Sequence, residues 1–173
     1  MKNKILEMKI QRAKNRPLKP RLDIIAFDID GVIFNPVGTY EKDYDLDKFY
    51  WDNNLIRNLN MTKGDYFDSV NNFYDGGYYV VLCTARRSTW HMPKWLLRLV
   101  LKMRFGLKFD ELIMNGTQLQ TSEFKKRALQ NMLARKQADF FVMDTKFVDD
   151  MKSNRDALEG IGWQVYGGED DNF

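Results

Sequence analysis

Two aspartates, Asp28 and Asp30, stand one residue apart at the end of an apolar run, and Gly31 follows them directly. The run "IIAF" at 24–27 is short, continuous and rich in β-branched and aromatic side chains, which is typical of a buried strand. Side chains two positions apart in a strand point to the same face, so the two carboxylates would crowd each other. Crowded carboxylates need a cation or a shared proton, which indicates a metal or catalytic site. The alternative is an Asp-rich turn, because Asp-Gly is a common turn signal.

Other apolar runs and one helix start also carry polar residues that suit the same chemistry. Those residues are Thr84, Arg86, Arg87, Lys125, Lys126, Asp149 and Asp150. Carboxylates supply the hard oxygen ligands that Mg²⁺ accepts beside water and phosphate. Hydroxyl, ammonium and guanidinium groups donate hydrogen bonds to phosphoryl oxygens. An acidic set around a metal, surrounded by cations, is typical of a phosphoryl-transfer site.

Strand and helix signals alternate along the chain, and this order positions the polar residues. The sequence predicts strands near 23–28, 78–83, 111–115, 139–149 and 163–166, and helices near 63–75, 92–106, 121–136 and 151–160. Such alternation predicts an α/β, Rossmann-like fold with a mainly parallel sheet sandwiched by helices. Ligands of these sheets bind beyond the carboxyl ends of the strands, where the polar residues fall.

The distribution of charge divides the chain of 173 residues into two units. Residues 1–22 hold eight Lys or Arg against Glu7, a charge of +7, whereas the whole chain carries +3. We predict a basic N-terminal arm at 1–21 and one domain at 22–173, with an insert at about 35–62 that forms a small cap or flap. A single cysteine, Cys83, excludes an internal disulfide, and no apolar stretch approaches the length of about 20 residues that spans a membrane. We therefore expect a cytoplasmic protein with no membrane partner.

Aromatic residues occur in two places where bases of a nucleic acid could stack. The insert holds Tyr44, Phe49, Tyr50 and Trp51 among acidic residues, and these are the preferred stacking candidates. The alternative set lies in the helix near 92–106 and just before it, where helix packing is the favoured interpretation: Trp90, Trp95, Leu96, Leu99 and Val100. His91, the only histidine, is interpreted as a packing or substrate-contact residue.

Four sequence motifs give the chain a resemblance to a known family. "FDIDGV", "VLCTAR", "FKKRAL" and "KFVDDMKSNRDALEGIG" appear in the order of the four motifs of haloacid dehalogenase superfamily phosphatases, over residues 22–166. Lys125 is favoured over Lys126 as the lysine of the third motif. In the fourth, the spacing to Gly162 favours Asp149 over Asp144.

Finer features narrow the resemblance. "TAR" before a Trp-bearing helix, the double aspartate and the ending "GWQVYGGEDDNF" are similar to the phosphatase domain of phage-type polynucleotide kinases. The 5′(3′)-deoxyribonucleotidases are a second similar group. No P-loop pattern occurs, so a kinase half is not expected. The resemblance implies a virus-encoded enzyme in a host cytoplasm as one possible origin.

The resemblance assigns roles to the motif residues. It implies that Asp28 is the nucleophile that forms an aspartyl-phosphate, and that Asp30 is the general acid and base. Thr84 and Lys125 are implied to hold the phosphoryl oxygens. Mg²⁺ is implied as the cofactor. The carboxylates of Asp28 and Asp149 and the backbone carbonyl of Asp30 are implied to bind it, with Asp150 as a direct or water-bridged ligand. Arg86 is assigned to bind the substrate phosphate, and Arg87 and Lys126 are further candidates for this contact.

Several hypotheses on function stay open at this point. The resemblance favours a phosphatase that acts on phosphorylated nucleic-acid ends, and a nucleotidase that acts on free nucleotides is the alternative. A non-catalytic nucleic-acid-binding module on the same fold would need a broken motif, and none is broken. The sequence leaves open 3′ or 5′ phosphate, DNA or RNA, and the oligomeric state.

Overall fold

The structure, a computed structural model, describes residues 19–35 and 55–167. Most of the basic arm, the larger part of the insert and the C-terminal tail lie outside the described residues, and so do the stacking candidates at 44–51. Within the described residues the predicted order of strands and helices is confirmed. The strands are β1 Arg21–Phe27, β2 Phe34–Asn35, β3 Thr62–Lys63, β4 Tyr79–Arg87, β5 Glu111–Asn115, β6 Phe141–Val148 and β7 Gln164–Tyr166. The helices are α1 Leu55–Leu59, α2 Phe67–Asp75, α3 Lys94–Met103, α4 Thr121–Asp139 and α5 Lys152–Glu159.

Five of the strands form one parallel sheet in the order β5-β4-β1-β6-β7. The strand β1 occupies the centre, and its residues 24–27 are fully buried, as an apolar run without alternation predicts. Because every strand of this sheet runs the same way, the residues after β1, β4 and β6 meet at one edge. The predicted α/β class with a mainly parallel sheet is confirmed.

Helices cover both faces of the sheet, and alternate residues of β1 point to each. Ile25 and Phe27 pack in a core with α2 and α3, whereas Ile24 and Ala26 pack with α4 and α5. This alternation is the two-residue period of a strand with both faces buried. In the described part of the chain, no helix has both the length and the apolar character needed to cross a membrane.

A small antiparallel ribbon closes the insert. Phe34 of β2 pairs with Lys63 of β3, and Asn35 pairs with Thr62. Gly64 follows the ribbon where a Cβ atom would lie 2.5 Å from the carbonyl oxygen of Val32, so the close approach requires glycine. The helix predicted from residue 63 therefore begins later, at Phe67, because Thr62–Lys63 belongs to the ribbon.

Candidate active site

Three elements bring two aspartates and a lysine together at the carboxyl edge of the sheet. Asp28 follows β1, and Asp149 follows the neighbouring strand β6. The last residues of the two strands, Phe27 and Val148, pair with each other. Lys125 lies in the first turns of α4 and is fully buried. Its Nζ lies 2.8 Å from Asp28 Oδ2 and 2.6 Å from Asp149 Oδ2. Of the two lysines that the sequence left open, Lys125 is the one that contacts the carboxylates, and Lys126 is half-buried beside it.

Asp150 completes a cluster of three carboxylates. Asp28, Asp149 and Asp150 each offer an oxygen, and these oxygens lie within 4.8 Å of one another. Gly31 makes room for the third carboxylate, because its φ is +79° and a Cβ atom there would lie 2.3 Å from Asp150 Oδ2. Position 31, directly after the two aspartates of the first motif, must therefore be glycine to leave space for the side chain of Asp150, 119 positions later.

The cluster is short of positive charge. Three carboxylates face one ammonium, and Asp28 Oδ1 is buried with no hydrogen-bond partner among the described residues. Burial raises the pKa of Asp28 to about 8, with Asp149 and Asp30 adding to the rise and Lys125 opposing it. Burial and the charge of Asp149 also raise the pKa of Asp150. A buried oxygen without a partner in an acidic cluster fits a hard divalent cation such as Mg²⁺.

Lys125 stays charged in spite of its burial. Desolvation alone would lower its pKa, but Asp28 and Asp149 outweigh that effect and raise the pKa above the usual value. A charged lysine at this place neutralises part of the cluster and holds one oxygen of each aspartate.

Two residues that the sequence analysis did not single out hold Asp149 and the chain around it. Asn154 is fully buried in the first turn of α5, and its Nδ2 donates to both carboxylate oxygens of Asp149 at 3.0 Å. The backbone N–H of Met151 donates to Oδ1 at 2.9 Å. Arg155 donates to the backbone carbonyls of Asp149 and Asp150, at 2.6 and 2.7 Å. The only signal for either residue is its spacing of about one helical turn from the double aspartate.

A second buried ion pair fixes Asp30. The Nε of Arg86 donates to Asp30 Oδ2 at 2.7 Å, and one terminal nitrogen of the same guanidinium donates to Oδ1. The other terminal nitrogen donates to Oδ1 of Asn58, a fully buried residue of α1. Arg86 is 5% exposed, so its guanidinium lies against protein groups, whereas the sequence assigned it to substrate phosphate. Burial opposes the charge of Arg86, but Asp30 outweighs burial and raises the pKa.

Thr84 and Arg87 lie on the same edge of the sheet, and β4 is longer than expected. The strand continues to Arg87, past a register shift against β5 between Thr84 and Arg87. Thr84 is fully buried, and its Oγ1 accepts a hydrogen bond from the backbone N–H of Arg86. Arg87 lines a cavity of about 200 Å³ together with Asn115, Gln120 and Thr121, beside the start of α4.

Asp144 lies away from this edge. It is inside β6, where it pairs in register with Asp23 and forms an ion pair with Lys146. The geometry thus agrees with the preference for Asp149 over Asp144 that the spacing to Gly162 indicated.

The interpretation of the tryptophans as packing residues is wrong. Trp90 is 94% exposed and Trp95 is 67% exposed, and Leu99 is exposed on the same helix as Trp95. The core row of α3 is formed instead by Leu97, Val100 and Leu101. These three residues occupy the face that meets the sheet, and Trp95 is therefore left on the outside.

Comparison with known proteins places the fold. No protein-family model matches the sequence, and no curated protein matches it. Solved structures do: a chain of the Pnkp1/Rnl/Hen1 RNA repair complex has a TM-score of 0.59 and 16% identity, over 89% of this chain and 44% of that one. A haloacid dehalogenase-like hydrolase family protein from Streptococcus pneumoniae has a TM-score of 0.53 and 11% identity, over 83% of each chain.

A third structure contains ligands. A haloacid dehalogenase family enzyme from Bacteroides thetaiotaomicron, in complex with magnesium and inorganic phosphate, has a TM-score of 0.51 and 13% identity, over 88% of this chain and 96% of that one. The fold is thus that of haloacid dehalogenase-like proteins, and the resemblance seen in the four motifs is confirmed for the fold. The chain spans just under half the length of the repair-complex chains that it matches.

Proposed function

We propose that this protein is a Mg²⁺-dependent phosphomonoester hydrolase that acts through an aspartyl-phosphate on phosphorylated nucleic-acid ends. The observation that carries the proposal is the state of Asp28, which is buried beside two further carboxylates, with one oxygen held by Lys125 and the other without a partner among the described residues. Asp28, Asp149 and Asp150 would hold the Mg²⁺ ion, with the backbone carbonyl of Asp30 as a further ligand. When bound, the ion would offset the charge of the cluster and of the phosphoryl group.

The residues of the chain then divide the reaction between them. A carboxylate oxygen of Asp28 forms a bond to phosphorus as the bond to the leaving oxygen breaks, and Asp30 donates a proton to that oxygen. In the second step Asp30 takes a proton from a water molecule, whose oxygen displaces Asp28 and releases inorganic phosphate. Lys125 and Thr84 neutralise and orient the phosphoryl oxygens.

Arg86 positions Asp30 between the two steps. A protonated carboxyl group accepts fewer hydrogen bonds than a carboxylate, so Asp30 must give up part of its paired contact with Arg86 when it carries the proton. We therefore assign Arg86 a positioning role, and Arg87 and Lys126 remain the candidates for contact with substrate phosphate.

Charge supports a polymeric substrate. Residues 1–22 carry +7, which exceeds what one nucleotide would neutralise and suits a polyanion. The fold is also shared with a chain of a complex described as an RNA repair complex. We further propose a cytoplasmic site of action, in agreement with the lone Cys83, which is a buried core residue with a pKa that burial raises to about 12.

A nucleotidase that acts on free nucleotides is the second candidate. The cavity of about 200 Å³ at the carboxyl ends of β4 and β5 favours it, because the cavity is lined by Arg87, Asn115 and Gln120. Amide and guanidinium groups are suitable partners for a base or a second phosphate.

One panel of phosphate-release assays tests both candidates. Mononucleotides, oligonucleotides with a 3′ or 5′ phosphate, and p-nitrophenyl phosphate are compared with and without Mg²⁺, for the wild type and for Asp28→Asn. We expect Mg²⁺-dependent release that the variant lacks, with the highest kcat/KM on an oligonucleotide. A higher kcat/KM on mononucleotides would favour the nucleotidase, and no release from any substrate would refute the hydrolase proposal.

A further inference from the structure

An exposed row of large apolar side chains lies on the outer side of α3. Trp95, Leu99 and Met103 are spaced four residues apart, so they form one row along the helix, and they are 67%, 50% and 79% exposed. Trp90, just before the helix, is 94% exposed. Several large apolar side chains exposed on one helix, with two tryptophans among the exposed residues, are typical of an interaction surface.

The charged residues in the segment of sequence that contains this row are all positive. Residues 86–109 hold seven Lys or Arg and no Asp or Glu. Two of these cations pair with carboxylates from elsewhere, Arg86 with Asp30 and Lys108 with Asp75. Lys94 and Lys102 are exposed and occupy, with Arg98, the row next to Trp95. We call the residues Trp90, Lys94, Trp95, Leu99, Lys102 and Met103 the α3 surface.

The α3 surface begins beside the candidate active site. Arg86, which holds Asp30, lies only four residues before Trp90, in the strand that ends at the carboxyl edge of the sheet. From that edge α3 leads back along the sheet for ten residues, about 15 Å at the rise of an α-helix. A polymer whose terminal phosphate lies at Asp28 would therefore have the α3 surface within reach of its next nucleotides.

We propose that the α3 surface binds the single-stranded segment of nucleic acid that leads to the phosphorylated end. Trp90 and Trp95 stack on bases, and Lys94 and Lys102 neutralise backbone phosphates. Stacking on exposed aromatic rings together with cations along the backbone is how proteins bind single strands without reading their sequence. Charge decides between this partner and a purely apolar one, since a cation-only surface on a chain that is acidic beyond residue 22 complements a polyanion. The inference rests on the proposed function and names where its substrate lies.

Alanine substitution of the two tryptophans tests the inference, because both side chains are exposed and their loss leaves the core intact. We expect Trp90→Ala and Trp95→Ala each to raise KM for a 3′- or 5′-phosphorylated 12-nucleotide strand by about tenfold, from the loss of one stacked base. The KM for p-nitrophenyl phosphate stays unchanged. Phe141→Ala is the matched control, since Phe141 is a 59% exposed aromatic residue at the start of β6, opposite the carboxyl edge of the sheet.

Salt dependence tests the two lysines separately. Replacing Lys94 and Lys102 with glutamine should reduce the slope of log K against log salt for strand binding by about 1.4, at 0.7 for each phosphate contact on a single strand. An unchanged slope together with an unchanged oligonucleotide KM in the tryptophan variants overturns the inference.

Two other occupants give distinct results that would also overturn it. If the surface contacts lipid, the tryptophan fluorescence of the wild type shifts when phosphatidylserine vesicles are added. The double variant, with both Trp90→Ala and Trp95→Ala, then loses this shift but binds the strand normally. If it contacts a second copy, light scattering shows a dimer that the double variant abolishes. The proposed function fails separately, through absent hydrolysis of p-nitrophenyl phosphate by the wild type. In that case strand binding by fluorescence anisotropy still decides the role of the α3 surface.

Discussion

Two buried cations contact the predicted catalytic aspartates, and their surroundings differ in charge. Lys125 contacts both Asp28 and Asp149, with Asp150 close by. Among these aspartates Arg86 contacts Asp30, through two nitrogens of one guanidinium. The first centre has three carboxylates for one cation, and the second has one carboxylate for one cation.

This difference indicates what each centre is built to do. The first is short of positive charge and has a buried oxygen without a hydrogen-bond partner, so it has both the charge and the ligand atom for a divalent cation. The second is balanced, and its paired geometry fixes an orientation. Under the proposed function, a binding centre and a positioning centre lie two residues apart in the sequence, at Asp28 and Asp30.

The largest effect is expected from removing the proposed nucleophile, Asp28. Asp28→Asn should lower phosphate release by at least about 10⁴-fold, because an amide is a poor nucleophile and one ligand of the first centre is lost. Asp144→Asn is the matched control, since Asp144 lies inside β6, and it should keep near wild-type turnover. Phosphate release by Asp28→Asn at the wild-type rate would contradict the assignment.

The second-largest effect is expected from removing Lys125, the cation of the first centre, and it concerns the free energy of unfolding. Lys125→Met removes the counter-ion of Asp149 and the Nζ contact with Asp28, both buried, and should lower the free energy of unfolding by about 3–5 kcal/mol, measured in urea without metal. Lys126→Met, the same change one residue later, should cost less than about 0.5 kcal/mol. Equal losses in the two variants would show that Lys125 does not stabilise the cluster.

The pH dependence of stability separates the two centres further. Asp28, with its pKa raised to about 8, holds a proton in the folded metal-free protein at neutral pH, whereas the unfolded chain releases it near pH 4. Between these values the folded state binds more protons, so its stability falls as pH rises, by about 1.4 kcal/mol for each pH unit over most of this range. The proposed Mg²⁺ ion would take the place of that proton and should raise Tm more at pH 8 than at pH 5.5.

Thermal unfolding at both pH values, with and without Mg²⁺, measures this effect. Asp28→Asn should flatten the pH dependence, because its side chain has no proton to release. Equal Mg²⁺ shifts at the two pH values in the wild type would mean that the ion does not compete with the proton of this cluster.

The smallest effect concerns the second centre. Arg86→Lys keeps the charge but loses the paired geometry, and should lower turnover of an alkyl phosphate by about tenfold. Turnover of p-nitrophenyl phosphate should fall less, because its leaving group needs no proton. Arg135→Lys serves as the control, since that guanidinium pairs with Glu111 at the start of β5, opposite the carboxyl edge of the sheet. Equal losses on both esters would argue against a role of Arg86 through Asp30.

The fold and the cluster of charged residues were predictable from local patterns. Parallel strands bring their carboxyl ends to one edge, so polar residues after "IIAF" and "KFV" had to meet there. The partners of those residues were not predictable in the same way. Asn58 contacts Arg86 across 28 positions of sequence, and no periodicity links the two.

The exposed tryptophans show a second limit of the sequence. Apolar residues occupy two rows of α3, and a helical pattern cannot say which row meets the sheet. Leu97 and Leu101 form the buried row, whereas Trp95 and Leu99 remain outside. Only the position of the helix over the sheet distinguishes these rows.

The β2–β3 ribbon has a consequence for how the chain can vary in length. Because Asn35 and Thr62 are paired, the two ends of the segment between them lie side by side. Closure entropy grows only with the logarithm of loop length, so doubling the segment between these points would cost about 0.6 kcal/mol. The ribbon thus makes this position tolerant of insertion and deletion, provided that Asn58 keeps its place against Arg86.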